Sequence, residues 1–529
     1  MNTSEILTLA KKLSKGLLTG RPDPMVFSSV EILDGVPGVS VNILNVIFDE
    51  ATKKKQNQNV LNALLFMLSH TLELLRYQID RQSPDAIIEA DEIRNHVIKL
   101  AKNGLESQMV MIIGSVFAST KLDPGEALRA VVASSMENSR ELATISQDGI
   151  PDFNEMIKDL VSEIGNNPFE LMQNLSEFGN SFPDEYRAMM GSVMVSASSE
   201  VVRDAGVGWL FDASPLVQTA VASALIAQAQ IGQITGNTLR RLILSRSWFP
   251  DQVRPAIDST IKEARKRGTD TEPFKPAEPI DFRATGFDGS GCQSLFVICK
   301  TGRKYALASL LVKHGFGIRD VWVQKDMTRR DVDGMIGQVE YQMDVNQTNP
   351  DYIGTAVEHF IGVSVKHGHP LPFALLDFLE TTGLSASKPN YITARDLIEN
   401  LCSSKLDETQ FQSAMKSAVV SSRLWPDEYP IFESWFEDDV DMERILGKGR
   451  LTQKKAMEKI FVNIIEPHRE LWAERLVWVA LSMRSSDPAC DWIYFALVAR
   501  ALILGLAVKD IPIMEFIASQ SATAYLQQR

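Results

Sequence analysis

The run DFRATGFDGSGCQSLFVICKTGRKYALASLLVKHGFGIRDVWVQ, residues 281–324, decides the fold, because it is the part of the chain that does not read as helix. Residues 281–287 are short and extended, and Asp288-Gly-Ser-Gly291 is a turn whose glycines permit positive φ. Leu295-Phe-Val-Ile-Cys299 is an apolar run bounded by turns, the signature of a strand covered on both faces. Thr301-Gly-Arg303 turns into a second apolar strand, residues 304–313, and His314-Gly-Phe-Gly317 turns again into residues 318–324. Turn-linked runs in succession predict an antiparallel meander of three or four strands. Thr328 with Asp331 reads as a capping box opening a helix towards Val339. Residues 281–346 are therefore expected to form a small antiparallel α+β module.

Helical patterns flank this module on both sides. Residues 269–280 hold Pro273, Pro276 and Pro279 without periodicity and read as a linker. Residues 1–268 before it are expected to be an N-terminal helical array. Asn2 with Glu5, Ser83-Pro84-Asp85, Asp123-Pro-Gly-Glu126, Pro151 and Pro168 mark its helix starts, and Gly104 a helix stop. Residues 216–231 are alanine-rich and apolar almost all round, as in a helix packed between neighbours. Residues 347–529 are expected to form a C-terminal helical array. Its helices fall near residues 352–365, 372–381, 393–402, 408–424, 451–483, 488–505 and 511–526, with Thr393 and Asp396 as another capping box.

One pattern recurs: Phe182-Pro-Asp-Glu-Tyr186, Phe249-Pro-Asp-Gln-Val253 and Trp425-Pro-Asp-Glu-Tyr429. Proline suits the first position of a new helix, the acid complements its dipole, and the aromatic can pack back on the preceding helix. This helix-after-helix grammar resembles the HEAT-type α-solenoids, which implies irregular stacked hairpins and carries over no functional residue. The fold class expected is mostly α, with HEAT-like helical-repeat arrays flanking the small sheet.

The chain has 529 residues, 45% hydrophobic and 23% charged, so two or three ordered domains are expected. Its four cysteines, Cys292, Cys299, Cys402 and Cys490, include no Cys-x-x-Cys pair. An odd separation sends Cys292 and Cys299 to opposite faces of a strand, away from a shared metal or disulfide. Few and scattered cysteines suggest a reducing compartment. Residues 2–18 read as an amphipathic helix with no secretory h-region, and the apolar run 492–508 is interrupted by Arg500. A cytoplasmic protein without a membrane span is expected.

No catalytic constellation emerges from the chain. Asp288-Gly-Ser290-Gly291 lies between two strands, whereas a nucleophile elbow needs a strand-to-helix turn. Neither a P-loop nor a dinucleotide fingerprint is present, and no cofactor is implied. His359, His367 and His369 are the densest histidine cluster and the one candidate metal set, without an established ligand spacing. The acidic run 437–443 reads as a solvated loop.

Charge distribution is the most informative feature. Residues 240–267 hold eight Lys/Arg against three acids, and residues 300–330 eight against two. Setting aside these tracts of +5 and +6 takes the formal −13 of the chain to −24 for the remainder. Arg240, Arg241, Arg246, Arg265, Lys266, Arg267, Arg303, Lys304, Arg329 and Arg330 are the candidate contacts of such a basic waist with nucleic acid or another polyanion. An internal role against the protein's own acidic helices, such as residues 437–443, is the preferred reading of the same charges. Three functions follow in order: a non-enzymatic scaffold whose helical surface binds a protein partner, a polyanion binder, and a hydrolase or metalloenzyme around His359–His369.

Overall fold

A computed structural model of the chain is mostly helical and contains one five-stranded antiparallel sheet. It describes residues 1–17, 30–80, 83–142, 157, 161–162, 165–271, 274–404, 410–437, 442–447, 451–486 and 490–527. The helix start read at Pro151 lies outside these residues, as do residues 438–441 of the acidic run. The chain divides into two compact units, residues 1–210 with 214–224 and residues 211–213 with 225–529.

The first unit is helical, and neighbours in sequence pack on one another. Thr3–Leu17 lies on Val39–Ala51 and Gln58–Asp80, and Ser107–Ser119 on Gly125–Leu142. Its helix starts are those the side chains dictate. Asn2 N–H donates to Glu5 at 2.8 Å while Glu5 N–H returns to Asn2 Oδ1 at 3.0 Å. Ser83 caps Pro84–Lys102, and Asn167 caps Pro168–Gly179. Ile6, Ala10, Leu13, Ile43, Ile47, Leu64 and Leu68 fill one core.

The aromatic–proline–acid pattern becomes a defined joint at two of its three sites. At the first, Arg187 Nη1 donates to Phe182 O at 2.8 Å, and its Nη2 pairs with Asp184 at 2.9 Å. At the second, Arg254 Nη2 donates to Phe249 O at 2.8 Å, and its Nη1 pairs with Asp251 at 2.9 Å. The arginine five residues after the aromatic thus closes the turn. The third site has Pro430 at that position and forms only the short helix Trp425–Glu428. Proline occupies the first helical turn at this third site, but Pro183 is an N-cap and Pro250 lies in the turn before Arg254–Lys266.

In the second unit β1 (Glu278–Thr285), β2 (Cys292–Thr301), β3 (Lys304–Lys313) and β4 (Gly317–Met327) form the expected meander. A fifth strand, β5 (Val345–Gln347), pairs antiparallel with β1, so the order is β4-β3-β2-β1-β5. Its three residues carry no alternation, and only the tertiary pairing reveals it. β1 begins inside the proline-rich stretch, and the register shifts between Pro279 and Asp281, as a residue without an N–H requires.

Residues 295–299 are buried throughout, as a doubly covered strand demands. Phe296 and Ile298 on one face of β2 pack with Val332 and Ile336 of the helix Arg329–Gln342. That helix opens on the capping box, with Thr328 N–H donating to Asp331 at 2.9 Å. Gln293 on the other face meets Tyr352 of the helix Pro350–His367, and Ala374–Thr382 packs on β3 and β4. Beyond the module, Gln453–Ile460 runs through a π-turn, residues 461–465, towards Arg469–Ser486, and Trp492–Ile503 is buried along most of its length.

Candidate functional site

The turn between β1 and β2 organises the site. Asp288 Oδ1 accepts from Cys292 N at 2.8 Å and from Ser290 Oγ at 2.7 Å, an Asx-type closure. Gly291 takes φ 77° to complete it. A segment from the C-terminal helices straps across this turn. Gly289 N–H donates to Ser434 Oγ at 3.1 Å, and Trp435 Nε1 donates to Phe287 O at 3.0 Å. The approach is so close that a Cβ at Gly289 would lie 1.9 Å from Ser434 O, and one at Gly286 1.8 Å from Ile431 Cδ1.

Two cavities open on either side of this contact, of about 510 and 480 Å³. They share Thr285, Gly286, Asp344, Pro430 and Ile431, so they form one two-lobed cleft. The first lobe is acidic, with Asp288, Glu340, Asp344 and Glu433 in its wall. The second is apolar and aromatic, with Phe287, Tyr429, Phe432, Val479, Met483 and Phe495. Phe432 and Phe495 are nearly parallel at 6.1 Å, and Trp425 stacks behind Phe495 at 4.1 Å. Among the described residues, no lysine, arginine or histidine lines either lobe.

A buried polar floor fixes these walls. Gln293 Nε2 donates to Thr285 O at 2.7 Å and to Ser482 Oγ at 3.3 Å, while Tyr352 OH donates to Gln293 Oε1 at 2.6 Å. Complete burial pushes the Tyr352 phenol well above its ordinary range. Beneath the turn lies Arg475, 8% exposed, its guanidinium 4.4 Å over the Trp472 ring. Burial lowers its pKa, and the charges of Glu437, Asp288 and Glu474 oppose that shift. Its Nε and Nη1 make no hydrogen bond. His314 packs on Phe287 at 4.8 Å, with Nδ1 3.5 Å from Glu474 Oε1, an electrostatic contact without hydrogen-bond geometry.

Neither nucleophile of the β1–β2 turn is activated. Burial and the charge of Asp288 both raise the Cys292 thiol, so it stays protonated. Ser290 Oγ donates to Asp288 rather than to a general base. All four cysteines are free thiols.

The ten candidate basic residues separate into groups. Arg241, 6% exposed, forms a two-pronged pair with Glu380 at 2.9 and 3.0 Å, and Arg240 reaches the same carboxylate at 2.9 Å. Lys325 meets neighbouring Asp377 at 2.5 Å. The acidic partner of this part of the waist is thus the helix Ala374–Thr382. Arg246 pairs with Asp258 at 2.7 Å, and Lys266 with Glu263 at 3.5 Å. Arg265, Lys266 and Arg267 are exposed at the end of Arg254–Lys266. Arg303, Lys304, Arg329 and Arg330 are also exposed; Lys300 and Arg329 lie 6.0 and 5.8 Å from the Tyr305 ring centroid, and Arg329 also pairs with Asp333 at 2.9 Å.

Of the three histidines singled out in the sequence, His367 and His369 lie side by side with ring centroids 6.3 Å apart, and His359 stands away from them. His359 is fully buried against Trp478 and Tyr391, and burial first, then the nearby charge of His314, lowers its pKa to about 3. His367 lies eight residues along the same helix, roughly 12 Å by the helical rise. His369 stacks on Phe316 at 4.4 Å. Among the described residues, no three His, Cys, Asp or Glu side chains lie close enough to hold a metal ion.

Asp344, Glu433 and Arg475 carry no signal in the sequence, Glu437 reads there only as the start of a solvated acidic run, and His314 only as part of a turn. They come from segments up to about 160 residues apart, and no local spacing links them.

Comparison with known proteins places this geometry in context. Residues 183–268 match the Y4lR second domain, residues 275–390 a domain of unknown function (DUF7401), and residues 395–526 the Y4lR C-terminal helical domain. The "Uncharacterized protein y4lR" of Sinorhizobium fredii (strain NBRC 101917 / NGR234) is 24% identical over 382 residues, covering 71% of this chain and 73% of that protein. No solved structure matches. The chain is thus similar to Y4lR through successive segments, and the cleft is built where the last two of them meet.

Proposed function

We propose that the chain is a non-enzymatic interaction protein, cytoplasmic, that holds a segment of a protein partner in the two-lobed cleft. The carrying observation is an acidic lobe joined to an aromatic lobe, both open, beside a turn whose serine and cysteine are not activated. Concave sites lined by aromatics with a few placed polar groups suit ligand recognition. Packing of sequence neighbours within the helical arms supports a HEAT-like scaffold. Selection of a random displayed peptide library on the full chain tests the reading. Enriched peptides should be held by the wild type and lost by Met483→Trp, which fills the apolar lobe. No enrichment, or equal retention by Met483→Trp, rejects it.

Polyanion binding is the second reading, and Lys300 and Arg329 over the Tyr305 ring, with Arg303, Lys304 and Arg330 exposed, favour it. It requires heparin or single-stranded RNA binding that falls steeply with salt and is lost in Arg303→Glu/Arg330→Glu. Salt-independent binding, or binding unchanged by the reversal, removes this reading.

A further inference from the structure

We infer that the occupant of the cleft is an extended peptide segment carrying a lysine or arginine and, about three residues away, an aromatic or leucine-like side chain. The inference rests on the reading of the cleft as a binding site and adds the chemistry of what enters it.

Charge complementarity sets the first requirement. Asp344 and Glu433 are exposed in the acidic lobe and form no ion pair among the described residues. Glu340 in the same wall is already paired with Arg283, and Asp288 is engaged by its own turn. Among the described residues no cation lines the lobe, so a cation arriving from outside meets two carboxylates with no ion pair to give up. A guanidinium suits two carboxylates because its planar fork bonds in two directions.

The second requirement comes from the other lobe. Half-buried Tyr429, Ile431 and Met483 line an apolar chamber of about 480 Å³, backed by the buried Phe432, Phe495 and Val479. Burying an apolar side chain there removes surface from water on both partners. The lobes join at Asp344 and Gly286, and cavities of this size have centres roughly 10 Å apart, about three residues of extended chain. The spacing follows from that separation.

A peptide fits better than a small amine. The cleft is elongated across two lobes, and Tyr341 and Met343, 92% and 46% exposed, extend its acidic rim. A chain continuing past the cation covers these side chains, which a compact ligand leaves in water.

The test is a fluorescence anisotropy titration of the full chain with three nine-residue peptides of otherwise Gly/Ser sequence. They carry Arg and Phe, Glu and Phe, or Arg and Ser, three residues apart, and phenethylammonium serves as competitor. The Arg/Phe peptide should bind at least tenfold tighter than the other two. Asp344→Lys/Glu433→Lys should weaken it at least tenfold and improve the Glu/Phe peptide, while Asp344→Asn/Glu433→Gln should fall between. Equal binding of the Arg/Phe and Glu/Phe peptides overturns the cation requirement. Phenethylammonium binding without peptide binding overturns the peptide occupant. Library peptides of other composition that enter the cleft while Arg/Phe does not refute this inference and leave the interaction reading standing. No peptide of any kind in the cleft removes both.

Discussion

Glu380 shows how a single side chain redirects a charge tract. Burial opposes its ionisation, and the hydrogen bonds and charges of Arg241 and Arg240 overcome that, holding the carboxyl below its ordinary range. Glu380→Ala strips a buried guanidinium of its carboxylate, and a loss of about 3–5 kcal/mol is expected in urea unfolding. A loss under 1 kcal/mol would mean that the pair is not load-carrying. His359 makes a pH prediction. Its folded pKa of about 3 lies below the ordinary value of 6.5, so the unfolded chain takes up the proton first as pH falls. Stability due to the neutral ring is complete above pH 6.5 and is lost progressively on acidification. Between pH 6.5 and 5 the difference is about 2 kcal/mol, from roughly 1.4 kcal/mol per unit. His359→Gln should lack this component, so equal pH slopes for the two proteins would contradict it.

Elements are joined here by turns whose side chains do the closing. Arg187 is 5% exposed and Arg254 more open, yet both return to the carbonyl of an aromatic and to an acid two residues past it. Arg187→Ala should cost about 2–3 kcal/mol through loss of charged hydrogen bonds, and Arg254→Ala less because solvent already screens it. Equilibrium unfolding of both variants checks the order. The strap across the β1–β2 turn gives a second contrast. Gly289→Ala drives a Cβ into the Ser434 backbone, whereas Gly286→Ala meets only the flexible end of Ile431. About 1–3 kcal/mol is expected for the first and less for the second. Hydrogen exchange at residues 430–435 should rise in Gly289→Ala alone. The proline joints, capping boxes and four of the five strands were legible because each is encoded within a few residues. The arginine that completes the joint was visible five positions on, but its role needs the folded turn.

The chain divides into two compact units, each with its own buried apolar residues. Calorimetry of the full chain is expected to depart from a single two-state transition. Arg187→Ala should shift one component and Glu380→Ala another, and one component shifted equally by both would argue against independent units. At this scale the basic waist also divides. One part is neutralised by Glu380, Asp377 and Asp258, and another remains exposed around Tyr305.

From its sequence alone the chain determined a mostly helical protein with a small central meander, because period, capping and turn chemistry are local properties of a few residues. Tertiary structure alone decided which charges face each other, which histidines lie apart, and that Asp344, Glu433 and the aromatic lobe share one cleft. Those relations depend on contacts between residues distant in the chain, and Coulomb interaction, desolvation and packing act on distance in space rather than on position in sequence.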